Sequence, residues 1–198
     1  MIRESRMSQI SQSVKFFPKY NNLLSPVSAK SILPEWYKQQ SSYDGFNHPT
    51  IKRCLPVFDA MSSGYFLLAQ SNITVDSTNP AGLLIKTDND FDGKLFNQHD
   101  LSQYNKYPVP LEYHKSLLRV DPMWAIQTPG EYSTLFIDPI HGGSKNIMAM
   151  SALVDTDKFL SDGHLSFFVK ENTVFKIKKG TPMTVSYTHL TLPTKRIV

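Results

Sequence analysis

A single cysteine, Cys54, stands among 198 residues, so no internal disulfide can staple this chain and no zinc site built on paired cysteines is open to it. That count suits a reducing compartment. Long apolar runs are missing as well. The densest, Tyr65 to Ala69, falls far short of the roughly 20 residues a membrane-spanning helix needs, so no membrane partner is expected. Residues 1–14 are polar and lack the apolar segment of a secretory signal. There is neither a phosphate-binding glycine loop nor a nucleophile elbow. The charge excess is small, 21 Lys and Arg against 17 Asp and Glu, and does not argue for a nucleic-acid partner.

What the chain does have is alternation. Apolar residues make up 40% and charged residues 19%, a balance that suits one folded domain of this length. The first 30 residues read as an extended lead-in, with Phe16-Phe17-Pro18 and Leu23-Leu24-Ser25-Pro26 broken by proline before elements can form. One short helix is predicted from about Pro34 to Gln40, because Pro34 is tolerated at a first helical position and Glu35 suits the positive end of the helix dipole. Trp36 and Tyr37 are expected to pack it down. Beyond it, strand signals recur between turn formers. Tyr65–Ala69 and Ile73–Val75 together suggest a hairpin. Further strands are expected at Leu83–Thr87, Met123–Ile126, Tyr132–Ile137, Ile147–Val154, His164–Lys170 and Thr173–Lys178. Leu111–Val120 fits either a helical turn or a strand edge. Asn97–Pro110 reads as a long surface loop carrying Tyr104 and Tyr107. The fold class that follows is all-β, a mainly antiparallel sandwich or barrel with one short N-terminal helix. Alternation puts Phe136 and Trp124 in its core.

The end of the chain reads differently. Val185-Ser186-Tyr187-Thr188-His189-Leu190-Thr191-Leu192-Pro193-Thr194 resembles, residue for residue, one translated frame of a common transposase-based sequencing adapter. The expectation is a β-rich domain over 31–184, truncated near Thr184, followed by a non-native tail over 185–198 that adds nothing to folding. Removing Lys195 and Arg196 with that tail lowers the net charge from the formal +4 by two.

Cys54-Leu55-Pro56, Gly64-Tyr65, Thr128-Pro129, Tyr132-Ser133, Val154-Asp155-Thr156-Asp157 and Lys179-Gly180-Thr181-Pro182 form an ordered series over Ile32 to Pro182. In this series the chain resembles a family of unassigned activity found in tailed phages, marine metagenomes and some bacteria. Where that family usually reads Thr-Pro-x-Gly-Tyr-Ser, this chain has Glu131 in the place of glycine, which argues against a left-handed turn there. The resemblance implies a phage or phage-like source, hence the cytoplasm of an infected host or a virion as location.

Candidate chemistry is sparse. Ala152-Leu153-Val154-Asp155-Thr156-Asp157 before an alternating strand and a Lys-Gly turn is similar to one motif of the trimeric deoxyuridine triphosphatases. That likeness implies Asp155 as the base that activates water beside a magnesium-bound phosphate, with Asp157 next to it. The phosphate loop of those enzymes has no counterpart, and Lys158 stands in the place of their stacking tyrosine. Otherwise Asp155 and Asp157 cap turns. Among the histidines no pair shows the His-x-acid spacing of a metal-dependent oxygenase, so no metal site is assigned, and no cofactor is called for except magnesium under the enzyme reading. Tyr132, Ser133 and His141 are the candidate ligand-binding residues. Alternating Asp88, Asp90 and Asp92 ahead of Gly93 lack the closing glutamate of a calcium loop and read as a solvated tip. Cys54 reads as a small buried hydrophobe. The leading expectation is a non-enzymatic phage-type β-domain that binds a phage or host protein or assembles with itself; the rival is a nucleotide hydrolase using Asp155.

Overall fold

The computed structural model describes residues 13–88, 96–121, 123–159 and 165–190. The acidic tip at 90–93, the turn at 162–163, His164 and the tail beyond Leu190 lie outside the described residues. In chain order the elements are β1 (Lys15–Pro18), β2 (Val27–Ser28), α1 (Glu35–Gln39), α2 (Leu55–Ser62), β3 (Tyr65–Leu68), β4 (Ile73–Asp76), β5 (Leu84–Thr87), β6 (Phe96–Gln98) and β7 (Leu118–Val120). They continue with β8 (Trp124–Gln127), β9 (Tyr132–Ile137), β10 (Ile147–Ala149), β11 (Ala152–Val154), β12 (Leu165–Val169), β13 (Val174–Ile177) and β14 (Pro182–Leu190). The fold is all-β, its described strands arranged in antiparallel sheets.

A five-stranded sheet runs β11-β9-β14-β3-β2 and a four-stranded one β10-β12-β7-β6, with a three-stranded β13-β4-β5 and the pair β1-β8 beside them. None closes into a barrel. One core gathers inward residues of several sheets, among them Ile73, Val75, Leu118, Phe167, Val169 and Met183, with Trp124 packed against it. Each such side chain contributes about 1.5–3 kcal/mol on leaving water. Phe136 and Ile126 are buried as the alternation requires; with Trp124, Met183 and Phe167 they line a small apolar cavity of about 40 Å³. A second cluster, Ala29, Phe66 and Val185, is joined by Val27, Leu68, Ile137 and Tyr187.

Several expectations are corrected. The lead-in supplies two paired strands, β1 against β8 and β2 against β3. Tyr65–Ala69 and Ile73–Val75 form no hairpin, because β3 pairs with β14 and β2 whereas β4 pairs with β13 and β5. Gln70 turns the chain between the two sheets. Its buried side chain accepts from Leu24 N at 2.6 Å and donates to Leu24 O and Leu68 O at 3.1 and 3.0 Å. The single strand expected over Ile147–Val154 breaks at Met150 and Ser151 into β10 and β11 of different sheets. A second helix, α2, follows Cys54, with Pro56 in its first turn where a missing N–H costs nothing. Cys54 itself is only half-buried.

Pro182–Leu190 forms β14, in register with β3 through Ser186↔Tyr65 and with β9 from Val185↔Ile137 to Leu190↔Tyr132. Val185 and Ser186 are buried. Strand pairing thus runs past Thr184, and residues 185–190 stand between β3 and β9 in the five-stranded sheet. Gly64 permits that closeness: it has φ +83, and a Cβ there would stand 2.6 Å from the Ser186 carbonyl oxygen.

Candidate functional site

The turn between β8 and β9 meets the chain leaving β11, so that Thr128-Pro129 and Tyr132-Ser133 come together with Val154-Asp155-Thr156-Asp157. The β9–β11 register, Thr134↔Val154 and Phe136↔Ala152, creates this meeting. At the turn Glu131 has φ +71, so the left-handed conformation forms despite the absence of glycine. Such a conformation costs a residue with a side chain about 1–2 kcal/mol. The Glu131 backbone N–H donates to Asp157 Oδ2 at 3.0 Å, a charge-assisted bond that works against this cost.

Behind the turn lies a chain of hydroxyls. Thr128 Oγ1 donates its one proton to Tyr132 O at 2.7 Å. Thr156 Oγ1, 2.9 Å away, must therefore donate to Thr128, and Thr134 Oγ1, at 2.8 Å, must donate to Thr156. All three threonines are buried. Ser133, also buried, donates from Oγ to Asp155 Oδ1 at 2.7 Å. The Asp155 backbone oxygen accepts from the N–H groups of Lys158 and Phe159 at 3.1 and 2.8 Å, closing the exit turn. Chemically the cluster is a latch: its donors and acceptors satisfy one another across two turns, which is what buried polar groups require.

Tyr132, Ser133, Asp155 and Asp157 are thus brought together, whereas His141 is not among them. It lies exposed on the loop after β9 with φ +56. Its carbonyl accepts from Trp36 Nε1 at 2.9 Å, and its ring meets the Trp36 ring edge-on at 6.3 Å. His141 therefore serves to seat α1; Tyr37, on the same helix, is buried as expected, while Trp36 stays 41% exposed. Among the described residues no group of three or more His, Cys, Asp or Glu is placed to hold a metal ion. Among those residues, too, no helix is long and apolar enough to cross a membrane.

Sequence reasoning passed over Asp138. Its half-buried carboxyl accepts from Ala149 N at 2.8 Å and closes the loop to β10, and burial pushes its pKa above the ordinary carboxylate value. The Tyr113 phenol is also raised, first by burial and then by the charges of Asp138 and Glu112. A Cβ on Gly143 would collide with Asp138 Oδ2, so the signal in the sequence was the Asp-Pro start and the paired glycines of this loop.

Compared with known proteins, the chain matches no family model and no curated protein sequence.

Proposed function

We propose that the chain is a phage-type β-domain that works by association, with a partner protein of phage or host or with further copies of itself. The observation that carries this reading is the loop between α1 and α2. A bridge between Tyr43 and Pro49 closes it, and the Asp44 carboxylate accepts from Phe46 N and His48 N, both at 2.8 Å. Those bonds, His48's first and then Phe46's, hold the Asp44 pKa below its ordinary value. The braced tip presents Phe46 at 84% exposure, and Leu55 follows at 71%. A large apolar side chain held in water by a pre-formed loop gives up little entropy on docking, which is how interface anchors behave. The motif residues Ser133, Asp155 and Asp157 support the same reading, since each is engaged in closing turns.

Placing a photo-crosslinking residue at position 46 tests both arms. Adducts with a second copy, or with one discrete protein of an infected host, are expected, and Leu55→Ser should reduce their yield severalfold. A folded protein that gives no adduct with either would contradict the proposal.

A further inference from the structure

Away from the latch, three side chains form a relay that the association reading does not use. His99 follows β6, and Gln103 lies four residues on in a single 3-10 turn, Leu101–Tyr104, whose start is capped by Asp100 Oδ1 accepting from Ser102 N at 2.8 Å. The turn brings Gln103 Oε1 to 3.0 Å from His99 Nδ1. An amide oxygen only accepts, so Nδ1 carries the imidazole proton and Nε2 of the neutral ring is left as an acceptor. Ser166 Oγ, on β12, lies 2.9 Å from that Nε2 and so donates to it. Tyr104 fixes the histidine from behind: its hydroxyl donates to His99 O and accepts from Leu117 N, both at 3.1 Å, and its ring meets the imidazole edge-on at 6.0 Å.

We propose that Ser166, His99 and Gln103 act as nucleophile, general base and positioning residue toward a small carboxylic ester. The proton order, hydroxyl to Nε2 with Nδ1–H held by a third group, is the one nucleophilic acyl transfer requires. Ser166 pairs in register with Arg119 on β7, and Arg119 with Asn97 on β6. Their neighbours Leu118, Val120 and Phe167 fill the core, so the row lies on the outer face of the sheet. Arg119 stands one ladder position from the nucleophile, with Cβ atoms about 5 Å apart.

In the first step Ser166 Oγ bonds to the ester carbonyl carbon while its proton passes to His99 Nε2. The bond from that carbon to the alcohol oxygen then breaks, and Nε2 returns the proton to the departing oxygen. Water next bonds to the acyl carbon, giving a proton to Nε2, and the serine oxygen leaves with that proton, freeing a carboxylic acid.

A fluorophosphonate probe, with peptide mapping, and p-nitrophenyl acetate test this on the intact chain. Expected are a probe adduct on Ser166 with loss of fluoride, none with Ser166→Ala, and labelling slowed about 10²-fold or more by His99→Ala, the usual scale of a general base. Gln103→Ala should slow labelling severalfold and Gln103→Glu restore it, at unchanged melting temperature. A folded wild-type chain that forms no Ser166 adduct would overturn the proposal, and so would equal labelling rates for wild type and His99→Ala.

Discussion

Gly64 shows how much rests on one residue. An alanine methyl there meets a backbone oxygen of β14 at 2.6 Å, at a φ of +83 that side chains rarely adopt. Gly64→Ala should therefore cost more than about 1 kcal/mol in urea denaturation. Thr156→Val removes a hydroxyl that both accepts from Thr134 and donates to Thr128; leaving those groups unsatisfied should cost about 1–3 kcal/mol. Asp138 makes a pH prediction. Burial raises its folded-state pKa, so the folded protein favours the protonated form. Its contribution is fully present below the ordinary carboxylate pKa and is lost as pH rises through the raised value. Asp138→Asn, which keeps an acceptor for Ala149 N, should flatten that loss and melt higher than wild type at neutral pH. A lower melting point would show that the carboxylate charge itself is needed. None of these contacts was legible beforehand. Ser133 and Asp155 are separated by 22 positions, and only the β9–β11 register makes them neighbours.

Elements were legible where alternation and turn formers coincide. Tyr132–Ile137, Thr173–Lys178 and Met123–Ile126 carry their own period of two, and β9, β13 and β8 stand there. Helix α2 was not: Val57, Phe58 and Met61 share its packed side, but the helix has only 8 residues and Leu55, 71% exposed, adds an apolar residue on the other side. Pairing was the least legible feature, since Gln70 redirects the chain through contacts with Leu24, 46 residues away. The motifs that carry the family resemblance fall at such junctions. Lys179-Gly180-Thr181-Pro182, for instance, turns into β14 through Lys179 N to Asn72 Oδ1 at 3.0 Å and Gly180 N to Ala69 O at 2.8 Å. For β14, resemblance to an adapter and place in the fold are separate matters. A slot between β3 and β9 asks for backbone pairing, an apolar residue at 185 and a small one at 186, which Val185 and Ser186 satisfy. Truncation after Thr184 should then lower the melting temperature by several degrees. An unchanged value would support a domain boundary at Thr184.

At the scale of the whole molecule, the sheets share one core and the surface carries the braced tip at Phe46. Phe136→Ala should remove about 3–5 kcal/mol of stability, since the ring is buried beside Ile126 and Met183. Phe46→Ser should leave stability within about 0.5 kcal/mol, because an exposed side chain contributes little to folding, while abolishing association. Opposite responses at two phenylalanines separate what folds the domain from what it presents. The central claim is that the Ser133–Asp155 and Glu131–Asp157 contacts hold turns together and that the domain's work is association. Phosphate release from a panel of nucleoside triphosphates, deoxyuridine triphosphate included, with magnesium tests it most directly. Wild type and Asp155→Asn should both stay at the buffer rate, with Asp155→Asn melting lower for loss of the charged partner of Ser133; magnesium-dependent release by wild type that vanishes in Asp155→Asn would contradict the account.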